Sequence, residues 1–143
     1  MSDEELRAFL GEKKVVTCAT IGPGGRPHLM PLWYAVHDLT LRGWTYAKSQ
    51  KAKNLERDPR ATLQVEDGEE YQELRGVMME CDVSIERDPD TVANFGMALF
   101  QRFGATGAEV EAMIAAQAPK RIGLTFTPTR LVSWDHSKLG DTY

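Results

Sequence analysis

The chain has 143 residues and a mass of 16.0 kDa, so we expect one compact domain over residues 1–143. Hydrophobic residues make up 42% and charged residues 27%, which is typical of a globular protein and excludes a disordered chain. A formal net charge of −4 argues against general nucleic-acid binding, and no run approaches the roughly 20 apolar residues that span a bilayer.

The N-terminus and the cysteines predict a cytoplasmic protein. MSDEELRAFL is acidic and polar, unlike a secretory signal or a transit peptide. Cys18 and Cys81 lie far apart without metal-site spacing, which predicts two buried thiols in a reducing compartment rather than a disulfide or a zinc site. The three histidines are not grouped as metal ligands, so we expect no metal.

The first predicted elements are a helix, a strand and a tight turn. Ser2 followed by Glu5 forms a capping-box pattern, and residues 3–10 then read as a short amphipathic helix. The segment VVTCATIG is rich in β-branched residues and predicts a strand. The glycines of residues 22–25 supply turn chemistry. The next strand should therefore return along the first as a hairpin.

The second strand is predicted in PHLMPLWYAV and the third in LTLRGWTYA, with a turn at His37-Asp38 between them. Pro27 and Pro31 cannot donate hydrogen bonds to a neighbouring strand. Part of the second strand should therefore lie at a sheet edge or at a bulge.

The second half of the chain returns to strands around a helical insert. Met79, Cys81, Val83 and Ile85 alternate with polar residues, which predicts a strand with one buried and one solvated face. The other predicted elements are a short helix in SQKAKNLERDP, a strand in RATLQVED, helices over 88–103 and 106–118, and a strand in RIGLTFTPTRLVSW interrupted at Pro128.

Strands in direct succession argue against βαβ units, which alternate strands with helices. A small antiparallel barrel fits the order and also removes sheet edges, which suits a short chain. The predicted fold class is therefore mainly β with peripheral helices, with a helical insert at about 88–118.

Positive charge is concentrated between Arg42 and Arg60. This stretch holds six basic and two acidic residues, about +4, so the remainder of the chain carries about −8. A compact positive site on an acidic protein suits a small anion better than a polyanion.

The short helix inside this stretch offers an anion site at its start. Helix N-termini carry unpaired N–H groups and partial positive charge, so the turn after Ser49, with Lys51, Lys53 and Asn54, could bind a phosphate or carboxylate. The alternative is an ordinary capped surface helix with solvated lysines. The glycines of a P-loop are missing.

Two further segments are candidates for ligand contact. The strand around His28–Tyr34 carries two aromatics and a proline, which could form an apolar wall for a flat ligand or could simply pack in the barrel. The segment from Ser133 to Leu139 is aromatic and charged, and could cover a ligand or a partner subunit. Its Ser, Asp and His are too close in sequence to form a catalytic triad.

Three stretches of the chain together resemble a known family. GWTYAKSQKAKNLERDPRATL resembles the phosphate-binding signature of the pyridoxamine 5′-phosphate oxidase-like split β-barrels, and TCATIGPGGRPHLMPLWYAV resembles their opening hairpin. PTRLVSWDHSKLG is similar to the ending of an actinobacterial branch, the B-type flavin/deazaflavin oxidoreductases, which use coenzyme F420. The resemblance covers the chain from about residue 12 to the end.

The resemblance implies a six- or seven-stranded antiparallel split barrel and a homodimer with two cofactor sites at the subunit interface. It also assigns site residues. Those matching the segment that holds the cofactor phosphate and acidic tail are Ser49, Gln50, Lys51, Lys53 and Asn54; those beside the ring are Pro31, Leu32, Trp33, Tyr46 and Ala47; and those in the C-terminal stretch of the same or the other subunit are Trp134, His136 and Lys138.

The implied function is an F420-dependent reductase that transfers a hydride between the coenzyme and an unsaturated or conjugated small molecule. The alternatives are an FMN-dependent oxidoreductase on the same barrel and a non-catalytic F420-binding protein. Gln50 stands where the FMN oxidases usually have an arginine, and their C-terminal substrate motif is missing, which argues against pyridoxamine phosphate oxidation. No catalytic acid is assigned; Tyr46, His28 and His136 are the candidate proton donors.

Overall fold

The fold is an antiparallel sheet of seven strands with four α-helices, seen in a computed structural model that describes residues 1–140. The elements in chain order are α1 (Asp3–Glu12), β1 (Val15–Ile21), β2 (Pro27–Trp33), β3 (Ala35–His37), β4 (Thr40–Tyr46), α2 (Gln50–Arg57), β5 (Arg60–Asp67), β6 (Arg75–Glu86), α3 (Pro89–Arg102), α4 (Ala108–Gln117) and β7 (Arg121–Asp135). Short 3₁₀ turns cover Tyr71–Glu73, Ala118–Lys120 and His136–Leu139.

The order of strands shows why the sheet must curl into a half-barrel. Neighbours follow the order β2-β1-β5-β6-β7-β4-β3, so β2 and β3 form the two edges. These edge strands are consecutive in the chain and are separated by Tyr34 alone. The two edges must therefore approach each other at Tyr34, and the sheet is split on either side of this crossing.

The barrel interior is built from the alternating residues that the sequence predicted. On β6, Val77, Met79, Cys81 and Val83 are buried, whereas the residues between them face outwards. The same alternation on β5 buries Ala61, Leu63 and Val65. Burying one face of each strand supplies the hydrophobic stabilisation of the sheet.

A second apolar cluster lies outside the barrel, under α3 and α4. Trp44 projects from β4 into a group formed by Val92, Leu99, Ile114 and Ala118. Two glycines let α3 approach the sheet closely: a Cβ on Gly96 would lie 2.5 Å from the Trp44 ring, and one on Gly123 would lie 2.9 Å from the Phe95 ring. The helical pair is thereby held against β4 and β7.

The crossing residue Tyr34 is fixed by contacts to α1 and α3. It is fully buried, and its hydroxyl donates a hydrogen bond to the Leu10 carbonyl at 2.7 Å. The Arg102 guanidinium lies 4.8 Å from the Tyr34 ring and donates to the carbonyls of Leu10, Gly11 and Lys13. Arg102 thus pairs with the Gly11 and Lys13 carbonyls at the C-terminal end of α1 and shares the Leu10 carbonyl with Tyr34.

Most predicted elements are confirmed, and two details differ. The Ser2–Glu5 capping box and the Ser49 cap of α2 are both present. The predicted second strand is wrong as a single strand, because the chain passes from one sheet edge to the other at Tyr34. The interruption at Pro128 is a bulge within continuous β7, opposite Glu80 and Cys81. Within residues 1–140, no helix is both long and apolar enough to cross a bilayer.

Candidate functional site

A cavity of about 440 Å³ opens where the barrel is split, between β2 and β4. The α3–α4 pair forms one part of its wall, and the first turn of α2 contributes another. Its lining residues are Pro31, Leu32 and Trp33 of β2, Trp44, Thr45 and Tyr46 of β4, Lys51 of α2, Phe100, Met113 and Gln117 of the helical pair, and Arg121 of β7. The site is therefore assembled from six elements spread over residues 31–121.

Lys51 is the most unusual side chain of this cavity. It is 94% buried, with a relative exposure of 6%, and burial lowers its pKa below the ordinary value of 10.5. No hydrogen bond or ion pair of the described chain involves its ammonium group. A buried lysine without an anionic partner costs free energy, and a bound anion would remove that cost.

The neighbouring thiol does not supply the missing negative charge. Cys18 interacts electrostatically with Lys51, but burial raises the pKa of the Cys18 thiol to about 11. The thiol is therefore uncharged at neutral pH.

The lining of the cavity is cationic and rich in hydrogen-bond donors. It contains Lys51 and Arg121 and no carboxylate. A depression of about 470 Å³ on the outer face of the sheet differs, because its charged residues Arg60, Glu80 and Asp82 have both signs. Arg60 is paired with Asp58 there, and Glu80 is paired with Arg130. The cavity at the split is therefore the better anion site.

The start of α2 is rigidly capped, and most of its polar groups are used internally. Ser49 Oγ accepts a hydrogen bond from the Ala52 N–H at 3.1 Å and lies 3.3 Å from Thr45 Oγ1. Asn54 is fully buried: its amide donates to Thr20 at 3.1 Å, and its oxygen accepts from Gln50 at 2.8 Å. Gln50 and Asn54 thus position α2 against β1 rather than line the cavity.

The positive stretch between Arg42 and Arg60 does not form one patch. Only Lys51 reaches the cavity, whereas Lys53 on the same helix is exposed and does not line it. Arg57 donates to the Ile21 carbonyl at 2.5 Å, and Arg60 is paired with Asp58. Of the basic residues in this stretch, Lys51 alone contributes positive charge to the cavity.

The apolar wall predicted on β2 lies in the cavity. Pro31, Leu32 and Trp33 all line it. The Trp33 ring stacks on Phe103 at 3.9 Å between centroids and meets Phe100 edge-on at 5.7 Å. Tyr46 also lines the cavity, whereas neighbouring Ala47 is half-buried outside the lining and donates to the Lys120 carbonyl.

The C-terminal site residues lie elsewhere in the same chain. Trp134 pairs with Gly76 at the far end of the 15-residue strand β7, whose first residue lines the cavity. His136 contacts Tyr71, and Lys138 forms an ion pair with Glu5 at 2.7 Å. Within one chain, these three residues do not belong to the cavity at the split.

Of the three candidate proton donors, Tyr46 alone lines the cavity. His28 lies on β2, and its Nδ1 is buried without a hydrogen-bond partner. His136 is held at the opposite end of β7 by the Tyr71 carbonyl. Residues 1–140 contain no group of three or more His, Cys, Asp or Glu side chains able to hold a metal ion.

The sequence prediction missed six lining residues: Trp44, Thr45, Phe100, Met113, Gln117 and Arg121. Trp44 and Thr45 directly precede Tyr46, which was predicted to lie beside the ring. Their place at the end of the same strand was the available signal. The others reach the site through the packing of the helical pair and the pairing of β4 with β7, which no local pattern reveals.

Comparisons with known proteins agree on the fold. The family described as pyridoxamine 5′-phosphate oxidase matches residues 2–135. No curated protein gives a significant sequence match. The structure of a conserved hypothetical protein from Mycobacterium tuberculosis is similar over 100% of this chain and 90% of that one, with 41% identity and a TM-score of 0.91.

Two more distant structures have the same fold. One is an F420 reductase, with 24% identity and a TM-score of 0.72 over 88% of this chain and 94% of that one. The other is a heme storage protein from Vibrio cholerae, with 19% identity and a TM-score of 0.72 over 90% of this chain and 92% of that one. The fold is thus shared by proteins whose ligands differ.

Proposed function

The chain belongs to the pyridoxamine 5′-phosphate oxidase family, which includes oxidoreductases, and we propose that it is an oxidoreductase itself. The proposed activity is that of a reductase, which uses reduced coenzyme F420 to reduce an unsaturated or conjugated small molecule. The F420 reductase of the same fold supports this choice of coenzyme. The observation that carries the proposal is Lys51, a buried cation without a partner in a cavity free of carboxylates.

The residues of the cavity fit both ends of such a coenzyme. Its phosphodiester and polyglutamyl tail are anionic, and Lys51 beside the capped start of α2 complements them. Its flat ring suits the wall formed by Pro31, Leu32 and Trp33. When bound, the reduced coenzyme supplies the hydride, and the acceptor takes up that hydride together with a proton.

The protein's own contribution is positioning and exclusion of water. Trp44, Phe100 and Met113 line the cavity with apolar surface, which strengthens electrostatic contacts inside it. Tyr46 is the candidate group for delivering the proton, since its side chain lines the cavity and remains 49% exposed to solvent.

This proposal is tested by titrating the purified protein separately with coenzyme F420, FMN and heme and measuring binding by isothermal titration calorimetry. We expect F420 to bind most tightly, because its acidic tail meets a cation-rich, carboxylate-free cavity. When the protein is present, members of a panel of enones and quinones should then oxidise the reduced coenzyme. Tight binding of FMN or heme without F420 binding would overturn the proposal, and F420 binding without turnover would favour a non-catalytic F420-binding protein.

The outer face of the sheet supports the proposed homodimer. Val15, Leu29 and Trp33 are each between 41% and 60% exposed, and the strand register of β1 and β2 places all three on that face. Exposed apolar patches of this kind mark association sites. Because Trp33 also lines the cavity, a second copy docked here would lie beside the coenzyme site.

Replacing Leu29 by glutamate should convert the proposed dimer to a monomer. Leu29 is 60% exposed, so the charge should be tolerated in a free chain but not in an apolar interface. Sedimentation velocity measures the change, with Asn94→Glu on the exposed side of α3 as the matched control. A wild-type chain that sediments as a monomer, or a Leu29→Glu variant that stays dimeric, would contradict the proposed interface.

A further inference from the structure

Arg121 is a second cation of the cavity, and its position is fixed by aromatic rings. It begins β7 and pairs with Tyr46 across the sheet. Its guanidinium carbon lies 4.0 Å from the Tyr46 ring centroid and 4.6 Å from that of Trp44. Both rings line the cavity as well, so Arg121 is oriented by the walls of the site.

The end of this guanidinium that carries the two terminal nitrogens is unused. Nε donates to Gln117 Oε1 at 3.4 Å, and neither terminal nitrogen has a partner among residues 1–140. Most other arginines of the described chain donate to carboxylates or carbonyls; these are Arg7, Arg57, Arg60, Arg75, Arg87, Arg102 and Arg130. Arg26 and Arg42 are exposed and line none of the described cavities.

These observations define the chemistry that Arg121 can recognise. A planar guanidinium whose face is covered by rings presents its edge, and two parallel N–H groups match the two oxygens of a carboxylate. The neighbouring Trp44 and Phe100 favour a flat, unsaturated body attached to that carboxylate. No acidic side chain of the lining competes for the arginine.

We propose that Arg121 is the specificity-determining residue for the acceptor, and that the acceptor is a flat, conjugated carboxylic acid. This inference rests on the proposed function, in which Lys51 and the start of α2 hold the anionic part of the coenzyme. Arg121 then binds the carboxylate of the second substrate and so orients its conjugated system in the cavity. A neutral analogue would leave the arginine edge unpaired and would bind more weakly.

The test uses 2-naphthoate and its neutral isostere 2-naphthamide as probes, with no coenzyme present. Isothermal titration calorimetry of the wild-type protein should show at least about tenfold tighter binding of the carboxylate. Arg121→Gln should remove most of this preference, and Lys51 remains as the other cation of the cavity. Arg121→Lys should restore the preference only in part, because lysine keeps the charge but not the paired donors. Arg42→Gln, which changes an exposed arginine of β4, should behave as wild type.

The results separate this inference from the proposed function. An Arg121→Gln variant that prefers naphthoate as strongly as the wild type does would overturn the inference. So would a variant that loses affinity for coenzyme F420 as strongly as for naphthoate, because Arg121 would then bind the coenzyme's acidic tail. A wild-type protein that discriminates between the probes but does not bind F420 would refute the proposed function alone, and the carboxylate site would remain.

Discussion

Replacing Lys51 by methionine should weaken the binding of coenzyme F420 by about 1.4–2.8 kcal/mol, or roughly tenfold to a hundredfold in Kd. The reason is that Lys51 is the buried, unpaired cation beside the start of α2. Methionine has a similar length and no charge, so it should fill the same space without attracting an anion. Calorimetric titration of both proteins with F420 measures the difference.

The same substitution should stabilise the free protein by about 0.5–2 kcal/mol, since it removes a buried charge that only a ligand would neutralise. The effect should depend on pH. Burial lowers the pKa of Lys51, so between that lowered value and 10.5 the unfolded chain binds more protons than the folded one. The free energy of unfolding of the wild-type protein therefore increases as the pH rises towards 10.5. The difference in stability between the variant and the wild type becomes smaller. Urea unfolding at pH 7 and pH 9.5 tests this.

Lys53→Met provides the matched control on the same helix. Lys53 is exposed and lies outside the cavity, so neither coenzyme affinity nor stability should change by more than about 0.5 kcal/mol. If Lys51→Met binds F420 as tightly as wild type does, the cavity at the split is not the coenzyme site.

Gly96→Ala should destabilise the protein by about 1–3 kcal/mol, although alanine is the better helix former. The new Cβ would lie 2.5 Å and 2.7 Å from two atoms of the Trp44 ring, in the apolar cluster beneath α3. Either α3 or Trp44 must move, and Trp44 lines the cavity, so ligand affinity should fall as well. Urea unfolding and tryptophan fluorescence report the two effects.

Gly11→Ala is the contrasting substitution in a helix. A Cβ at Gly11 would meet nothing within 4 Å, so alanine should stabilise α1 by about 0.5–1 kcal/mol. If Gly11→Ala raises the free energy of unfolding and Gly96→Ala lowers it, the loss at Gly96 comes from packing. Equal stabilisation at both positions would show that α3 is not held tightly against Trp44.

Local patterns were enough to predict the elements, and the caps show why. Ser2 with Glu5, and Ser49 before α2, act over three or four residues, so the sequence alone reveals them. The alternation on β6 likewise depends on neighbouring residues only. The crossing at Tyr34 could not be predicted. A run of strand-forming residues has the same pattern whether it forms one strand or two strands at opposite edges of the sheet.

The candidate site was predicted in part for the same reason. Lys51 lies four residues before buried Leu55, so helical spacing places it on the inward face of α2, and Lys53 falls outside that face. That signal was present in the sequence and could have separated the two lysines. Arg121 reaches Tyr46 only through the pairing of β4 with β7, which joins segments about 75 residues apart.

The central place of β7 in the sheet also has a consequence for protein synthesis. β7 is bonded to β6 along one side and to β4 along the other, and it begins with Arg121. A nascent chain still attached to the ribosome and lacking this strand carries Lys51 but cannot join its two sets of strands. Capture of a ligand should therefore begin only after β7 has left the exit tunnel, as a late step of folding.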